Sequence, residues 1–294
     1  MYLIYLSDIL AFNSKMASNS LTYISQKNDL TNVLTIKTIQ ILPIRTLMTA
    51  LKDILGDTNI TFTPEGMKII NTDKSHTTLV HLFLEADNFE FYECKKEKII
   101  IGVNIVQLYK LINTIESNDT LTIYIDENDY VDGIISHLSL KFEYAEIRRR
   151  KIKRLRLIEP DHEELEFPDV SFSSILHMPS VAFQKNIKSL VAVTDKLEII
   201  SVGNELIYKA EGPFADIIIT TNELEGNMEF IKQPDASEIN QGIFSIRHLN
   251  SIIKCTHLCD QIEMYIENDL PLVVKYNVAS LGMLKLCIVP LPSS

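Results

Sequence analysis

The chain has 294 residues, 28 Lys and Arg against 39 Asp and Glu, a formal net charge of −11 at pH 7 and 46% hydrophobic residues. That apolar content is enough to fill real cores, and the length suits two domains of ordinary size better than one. The negative balance excludes binding of nucleic acid by the whole surface, because phosphate repulsion opposes contact; any such surface has to be a segregated basic face. Four cysteines, Cys94, Cys255, Cys259 and Cys287, are too few and too scattered for a disulfide scaffold and point to a reducing compartment. Cys255-x3-Cys259 looks like half a metal site, but no second Cys or His pair at ligand spacing follows it, so no metal is expected. No run approaches the roughly 18 apolar residues that span a membrane, and the opening MYLIYLSDILAF lacks the basic start of a secretory signal. A soluble, intracellular protein is the expectation.

After that opening, residues 1–32 are polar and poor in pattern, which places them outside the fold. They are either a functional arm or the product of an early start, with Met16 as the rival first residue. From Val33 the pattern becomes regular. VLTIKTIQI predicts a strand, and LPIRTLMTALKDIL carries Leu47, Leu51, Ile54 and Leu55 at helical spacing after Pro43. ITFTPEGMKIINTD, TTLVHLFLEA and FEFYECKKEKIIIG alternate between turn residues and predict an antiparallel meander. A second helix follows at VNIVQLYKLINTIE, with Ile105, Leu108, Leu111, Ile112 and Ile115 as its buried stripe; the strands LTIYID and IISHLSLKFEY close the first half.

Arg148–Asp169 divides the chain. Arg148, Arg149, Arg150, Lys151, Lys153, Arg154 and Arg156 give way to Glu159, Asp161, Glu163, Glu164 and Glu166, while Pro160 and Pro168 lack the amide hydrogen of a helix or central strand. The composition predicts an exposed interdomain connector. Ile158, Leu165 and Phe167 are apolar within it, and either stay solvated or dock it onto the body as part of a binding surface. Beyond the connector the first half recurs. FSIRHLNSIIKCTHLCDQIEMYI aligns without a gap with VNIVQLYKLINTIESNDTLTIYI, so that Ile246 falls on Ile105, Leu249 on Leu108, Ile253 on Ile112, Asp260 on Asp119 and Tyr265 on Tyr124. More faintly, MPSVAFQKNIKSLV repeats the first helix, with Pro179 over Pro43, Phe183 over Leu47, Ile187 over Leu51 and Lys188 over Lys52. The chain is a duplication of one helix-and-strand unit, and the apolar stripes of its helices need sheets to receive them.

Charge is sorted by element. The four helices hold Arg45, Lys52, Lys110, Lys185, Lys188, Arg247 and Lys254 against Asp53 and Glu116, whereas acids dominate the chain as a whole. Arg45 and Lys52 stand seven residues apart, as do Arg247 and Lys254, which places each pair on one helical face. Either these are solvated faces, or they form a basic surface that meets phosphates without reading bases. No phosphate loop, zinc-binding HExxH helix or nucleophile elbow occurs. Asp73, Ser75 and His76 lie close together, but a turn between strands explains DKSH more simply than a hydrolase triad does.

The residues from about Val33 to Pro292 resemble the proliferating cell nuclear antigen family of sliding clamps. The resemblance is carried by TDKSHTTLV, GVNIVQLYKLI, HMPSVAF, LPLVVKY (270–276), Leu281-Gly282, Val289-Pro290 and a linker closing on Leu165, Phe167 and Pro168. It implies an α+β fold of two similar clamp domains, 33–157 and 171–294, joined by a linker over 158–170. Each domain has two helices packed on antiparallel sheets, and a homotrimer closes a ring around duplex DNA. The implied role is a polymerase processivity factor that is not an enzyme and needs no cofactor. Implied partners are double-stranded DNA, a DNA polymerase, other proteins carrying a Gln-x-x-aliphatic-x-x-aromatic-aromatic peptide (the PIP box) and a clamp loader, with no membrane. It would act in the nucleus if cellular, or at the site of viral DNA replication if viral. The seven helix cations are then the DNA contacts. The peptide pocket falls to His76, Leu165, Phe167, Pro271, Leu281, Val289 and Pro290. The subunit interface falls to a basic edge, Arg149, Arg150, Lys151 and Lys153, against Phe214, Asp216 and Ile218. A monomeric accessory factor of similar fold is the alternative function, and an import signal or DNA-binding run is the alternative reading of the basic edge. The sequence departs from the family in that edge, in Cys287 where an aromatic is common, and in residues 1–32.

Overall fold

Alternation makes the strands. In TLVHLFLE, Thr78, Val80, Leu82 and Leu84 are buried while Leu79, His81 and Phe83 stand on the opposite face, the two-residue period of a pleated strand. The structure, a computed structural model, describes residues 31–115, 119–144, 149–161, 165, 167, 170–224, 226–234 and 238–292. The first half runs β1 (Asn32–Thr38), α1 (Ile41–Ile54), β2 (Asp57–Thr63), β3 (Gly66–Thr72), β4 (Thr78–Glu85), β5 (Phe91–Cys94), β6 (Ile99–Asn104), α2 (Ile105–Ile112), β7 (Thr120–Asp126), β8 (Tyr130–Val131), β9 (Ile134–Ile135), β10 (His137–Tyr144) and β11 (Arg149–Arg156). The second runs β12 (Ser174–Pro179), α3 (Ser180–Leu190), β13 (Lys196–Val202), β14 (Glu205–Glu211), β15 (Asp216–Asn222), β16 (Glu229–Lys232), β17 (Ile239–Ser245), α4 (Ile246–Ile252), a 3-10 turn (Ile253–Leu258), β18 (Gln261–Ile266), β19 (Leu272–Val278) and β20 (Gly282–Ile288).

Five strands pair in the order β11-β10-β7-β1-β5 and four in the order β15-β14-β13-β17, while nine, β16-β12-β18-β19-β20-β4-β3-β2-β6, run through both halves. Cutting the long sheet between β20 and β4 leaves five strands of the second half and four of the first, so each half owns one sheet of each kind. The join is an antiparallel ladder from Gly282 opposite Leu84 to Ile288 opposite Thr78. Flanking hydrogen bonds extend it, from the Glu85 amide to the Leu281 carbonyl at 2.9 Å and from the Val289 amide to the Thr77 carbonyl at 3.0 Å. The inward residues Val80, Leu82, Leu84, Leu284, Leu286 and Ile288 are fully buried, so the two halves share one continuous core.

The helices lie side by side in the order α2-α1-α4-α3, with the 3-10 turn packed between α1 and α3, and α1 and α4 rest on β19 and β20 at the join. Each buries an apolar stripe: Leu47, Leu51 and Ile54 on α1, Leu108 and Ile112 on α2, Phe183, Ile187 and Leu190 on α3, Leu249 and Ile252 on α4.

Three expectations are corrected. The predicted meander holds for β2-β3-β4, but β5 leaves it to pair with β1 and β6 returns to β2, because each half divides its strands between two sheets. The second helix ends at Ile112, and Leu111 is only partly buried. Side chains from elsewhere take the carbonyls with which a longer helix would continue: Lys153 donates to the Leu111 carbonyl at 2.7 Å and Arg45 to the Ile115 carbonyl at 3.1 Å. The connector that composition alone predicts over Arg148–Asp169 is corrected in its basic part, since Arg149–Arg156 pairs residue for residue with β10 as the outermost strand of its sheet, the edge that the family resemblance implied.

Gly282 begins β20 where the halves meet, and a Cβ there would lie 2.1 Å from the Phe83 carbonyl oxygen. Gly282→Ala is therefore expected to destabilise the chain by at least about 1–3 kcal/mol, the range for overpacking. Denaturant titration reads this as a lower midpoint; an unchanged midpoint would show that the join has slack.

Candidate nucleic-acid and partner surfaces

Burial of the apolar stripes turns the opposite faces of the helices outward. Lys110, Lys185, Lys188, Arg247 and Lys254 are exposed there and Lys52 is half-buried. At the seam between α1 and the turn after α4, Asp53 Oδ1 lies 2.9 Å from Lys52 Nζ and Oδ2 lies 2.8 Å from Lys254 Nζ. Lys52 Nζ also sits 5.0 Å from the centre of the Tyr109 ring. Partial burial acts to raise the Asp53 carboxyl, but the hydrogen bonds and charges of Lys254 and Lys52 outweigh it and hold the group below the usual carboxylate range. Arg45 is drawn away from this face and caps the end of the α2 segment instead.

The two candidate edges are β11 and β15. Arg149, Arg150 and Lys151 are exposed on β11. Lys153 faces inward, with its ammonium bonded to the Leu111 carbonyl and the Thr114 hydroxyl, 4.7 Å from the centre of the Phe142 ring; burial, with the charge of Lys151, lowers its pKa. It serves α2 and offers little to the edge. Arg154, outside the predicted interface set, pairs with Asp129 at 2.5 Å. Ile152 at the middle of β11 is 49% exposed, and on the other edge Ile218 is 65% and Phe214 73% exposed.

The predicted pocket residues gather only in part. Phe167, from the linker, lies over His81 with ring centres 5.2 Å apart and 4.9 Å from Lys285 Nζ. It packs with Leu79 and Leu270 against a small cluster of Phe172, Val273 and Cys287 on the outward face of β4, β19 and β20. Leu165 is half-buried. His76, at φ 56°, is exposed with Nδ1 2.9 Å from the Thr72 hydroxyl. It neighbours Thr77, whose carbonyl takes the amide of the half-exposed Val289, and Pro290 follows. Pro271 precedes Leu272, the partner of Ile288, so it stands at the same end. Leu281 does not belong here. It is fully buried beyond the other end of β20, about 25 Å from Val289 at the rise of an extended strand, and closes the turn back to Val278. The sequence reading missed Leu79, His81, Phe172, Val273 and Lys285, although the alternation of β4 and β20 marks Leu79, His81 and Lys285 as one outward row.

Asp73 works as a turn carboxylate: Oδ1 accepts the amides of Thr77 at 2.9 Å and Thr78 at 2.8 Å, and Oδ2 takes the Ser75 hydroxyl. The His76 ring points to Thr72, so no Ser-His-Asp relay forms. Among the described residues no three His, Cys, Asp or Glu side chains gather as metal ligands, and Cys259 Sγ donates to the Gln261 carbonyl at 3.0 Å.

A duplicated α+β unit fused through one sheet, with its helices in a row and cations on their open face, is the protomer fold of a DNA clamp. The models of the N-terminal and C-terminal domains of proliferating cell nuclear antigen match residues 33–164 and 166–291, and the chain belongs to that family. It is 30% identical over 265 residues to a probable DNA polymerase sliding clamp 1 of Paramecium bursaria Chlorella virus 1, spanning 88% of this chain and 97% of that one. It is 29% identical over 226 residues to a probable DNA polymerase sliding clamp of Acanthamoeba polyphaga mimivirus, spanning 77% and 47%. To the proliferating cell nuclear antigen of Caenorhabditis elegans it is 26% identical over 252 residues, spanning 84% and 92%.

Burial against Phe167, with the charges of Lys285 and Lys68, lowers the His81 pKa from its ordinary 6.5 to about 4. The neutral ring is the folded form, so its contribution to stability is present above pH 6.5 and is lost as the pH falls towards 4. His81→Gln is expected to flatten the fall in thermal midpoint over that window. In Phe167→Ala the His81 titration, followed by NMR, is expected to move back up towards 6.5; an unmoved titration would place the cause elsewhere.

Proposed function

We infer that this chain is one subunit of a DNA sliding clamp, a processivity factor that encircles duplex DNA and tethers a polymerase to it. The observation that carries this reading is the sorting of cations: an acidic chain of this family keeps its exposed helix face basic. Contacts from such a face reach phosphates and read no sequence. A ring needs no tight grip, since topology retains the DNA, and weak contacts leave it free to slide. The family is a non-enzymatic scaffold, which fits a site built of cations and turns.

The join within the chain suggests how the ring closes. β15 ends the four-stranded sheet of the second half as β4 ends that of the first, and β11 is to its five-stranded sheet what β20 is to the other. Within the chain β20 and β4 pair; β11 and β15 are left as edges for a neighbouring copy. The β11 edge carries Arg149, Arg150 and Lys151 and the β15 edge Asp216, with Ile152 and Ile218 exposed near their middles. Unlike edges attract one another and reject their own kind. Repeated head to tail, this contact is heterologous and closes a ring, which we take to be the homotrimer of the family. A closed ring has to be opened to admit DNA that has no free end, which is the task of a clamp loader. The cluster under Phe167, with His76, Val289 and Pro290 at its end, is the proposed seat of PIP-box peptides, whose aromatic anchors would take the place of the linker ring. The monomeric accessory factor is disfavoured, since it leaves both edges without a partner.

Changing Lys110, Lys185, Lys188 and Arg247 to Glu should abolish stimulation of polymerase while light scattering still reports the trimer. Normal stimulation by this variant would remove the helix face from the mechanism. Reversing Arg149, Arg150 and Lys151 to Glu spares Lys153 and its helix cap, and should yield monomers. Dissociation of the parent ring should rise with salt, since exposed pairs are screened over about 8 Å at physiological ionic strength. A reversal variant that stayed trimeric at low salt would rule out charge as the guide to assembly.

A further inference from the structure

Asp53 is the only acidic residue within α1–α4 and the 3-10 turn. It stands where the two halves of the helix layer meet, and it is shared by a lysine from each: Lys52 at 2.9 Å and Lys254 at 2.8 Å. We propose that Asp53 is a built-in counterion that competes with DNA phosphates for Lys52 and Lys254, weakening the grip of the clamp at this seam. The proposal rests on the clamp reading above.

The duplication supplies the comparison. In the repeated unit Lys188 stands over Lys52, but the residue over Asp53 is Ser189, whose hydroxyl turns back to the Asn186 carbonyl at 2.7 Å. The residue matched to Lys254 is Asn113, exposed at the end of α2. The helices that repeat α1 and α4 are α3 and α2, which stand at the two ends of the row and carry Ser189 and Asn113 at the matching positions, so the Lys-Asp-Lys bridge belongs to this seam and is not a feature of the repeated unit. The carboxylate is also well placed to intercept a phosphate. It lines a cleft with Lys52, Lys74, Arg247 and His248, and with Asp73, whose carboxylate is taken up by the amides and hydroxyl of its own turn, so an oxyanion entering the cleft meets Asp53 as well as the cations. Contact with Lys52 or Lys254 there exchanges one anion for another, which gains less than contact with the exposed Lys185 or Lys188. Cations differ in strength along the helix row, and a ring that must slide gains from the weaker ones.

The test is Asp53→Asn, which keeps the shape and removes the charge, and Asp53→Ser, which copies the repeated unit. Both are measured as assembled protein against a fluorescein-labelled duplex by anisotropy over a salt series, with thermal midpoints in parallel. Both are expected to bind about two- to fivefold more tightly at low salt, the scale of one exposed ion pair. The slope of log affinity against log salt is expected to steepen by about 0.9 for each phosphate newly engaged. Affinity and slope equal to those of the parent protein, or a lower thermal midpoint without tighter binding, would overturn the proposal and leave Asp53 as a staple between the halves. A Lys185→Glu, Lys188→Glu variant, remote from Asp53, separates the two readings. If it binds as the parent does, the helix face itself is wrong; if it binds weakly while the Asp53 variants are unchanged, only the counterion fails.

Discussion

The pairing of β20 with β4 is the constraint on which the rest of the molecule depends. Backbone hydrogen bonds fix the register of that ladder, and its inward residues are fully buried, so neither half can turn against the other without exposing apolar surface and unpaired amides. The helices inherit their order from it. Because α1 and α4 sit on β19 and β20 at the join, the cations of both halves end on one continuous face. A flexible connector alone would have left two basic patches with no fixed relation.

Within that frame the cations divide between two tasks. Arg45 and Lys153 are drawn inward to the carbonyls at the end of the α2 segment, where the helix dipole favours positive charge. Lys110, Lys185, Lys188 and Arg247 are left on the open face, where long side chains meet phosphates without a specific geometry. The first set shapes the helix layer and the second presents it. These six cations look alike in the sequence yet have different fates, decided by which of them lie within reach of an orphan carbonyl.

The duplication, the two helices per half and most strands were legible because each rests on a local period: the gapless match of Ile105, Leu108 and Ile112 with Ile246, Leu249 and Ile253 is a buried stripe written twice. The helix cations were legible for the same reason, since burial of one face decides what is left on the other. What was not legible depends on contacts distant in sequence. Nothing near Lys153 announces Leu111, and nothing near Phe167 announces His81. Leu281 was misplaced because it precedes a strand whose far end does reach the proposed pocket, and a motif in sequence does not say which end of a strand a residue occupies. By composition alone the basic run of β11 looks like a loop, because charge on an outer strand has the composition of a solvated connector; the resemblance placed it on a sheet edge, and pairing with β10 distinguishes the two.

The linker ring also covers a chemical group. Cys287 belongs to the small cluster against which Phe167 packs, and burial pushes its thiol up to about 12, against the opposing charge of Lys285. While Phe167 stays down, the sulfur is a small apolar filler and the thiolate that alkylating or oxidising agents require is scarce. A peptide seated as proposed would displace the ring, and the sulfur would then meet either water or the incoming side chain. Under that proposal the rate at which Cys287 is alkylated would record how often the linker leaves its seat, and an occupied groove would silence that signal.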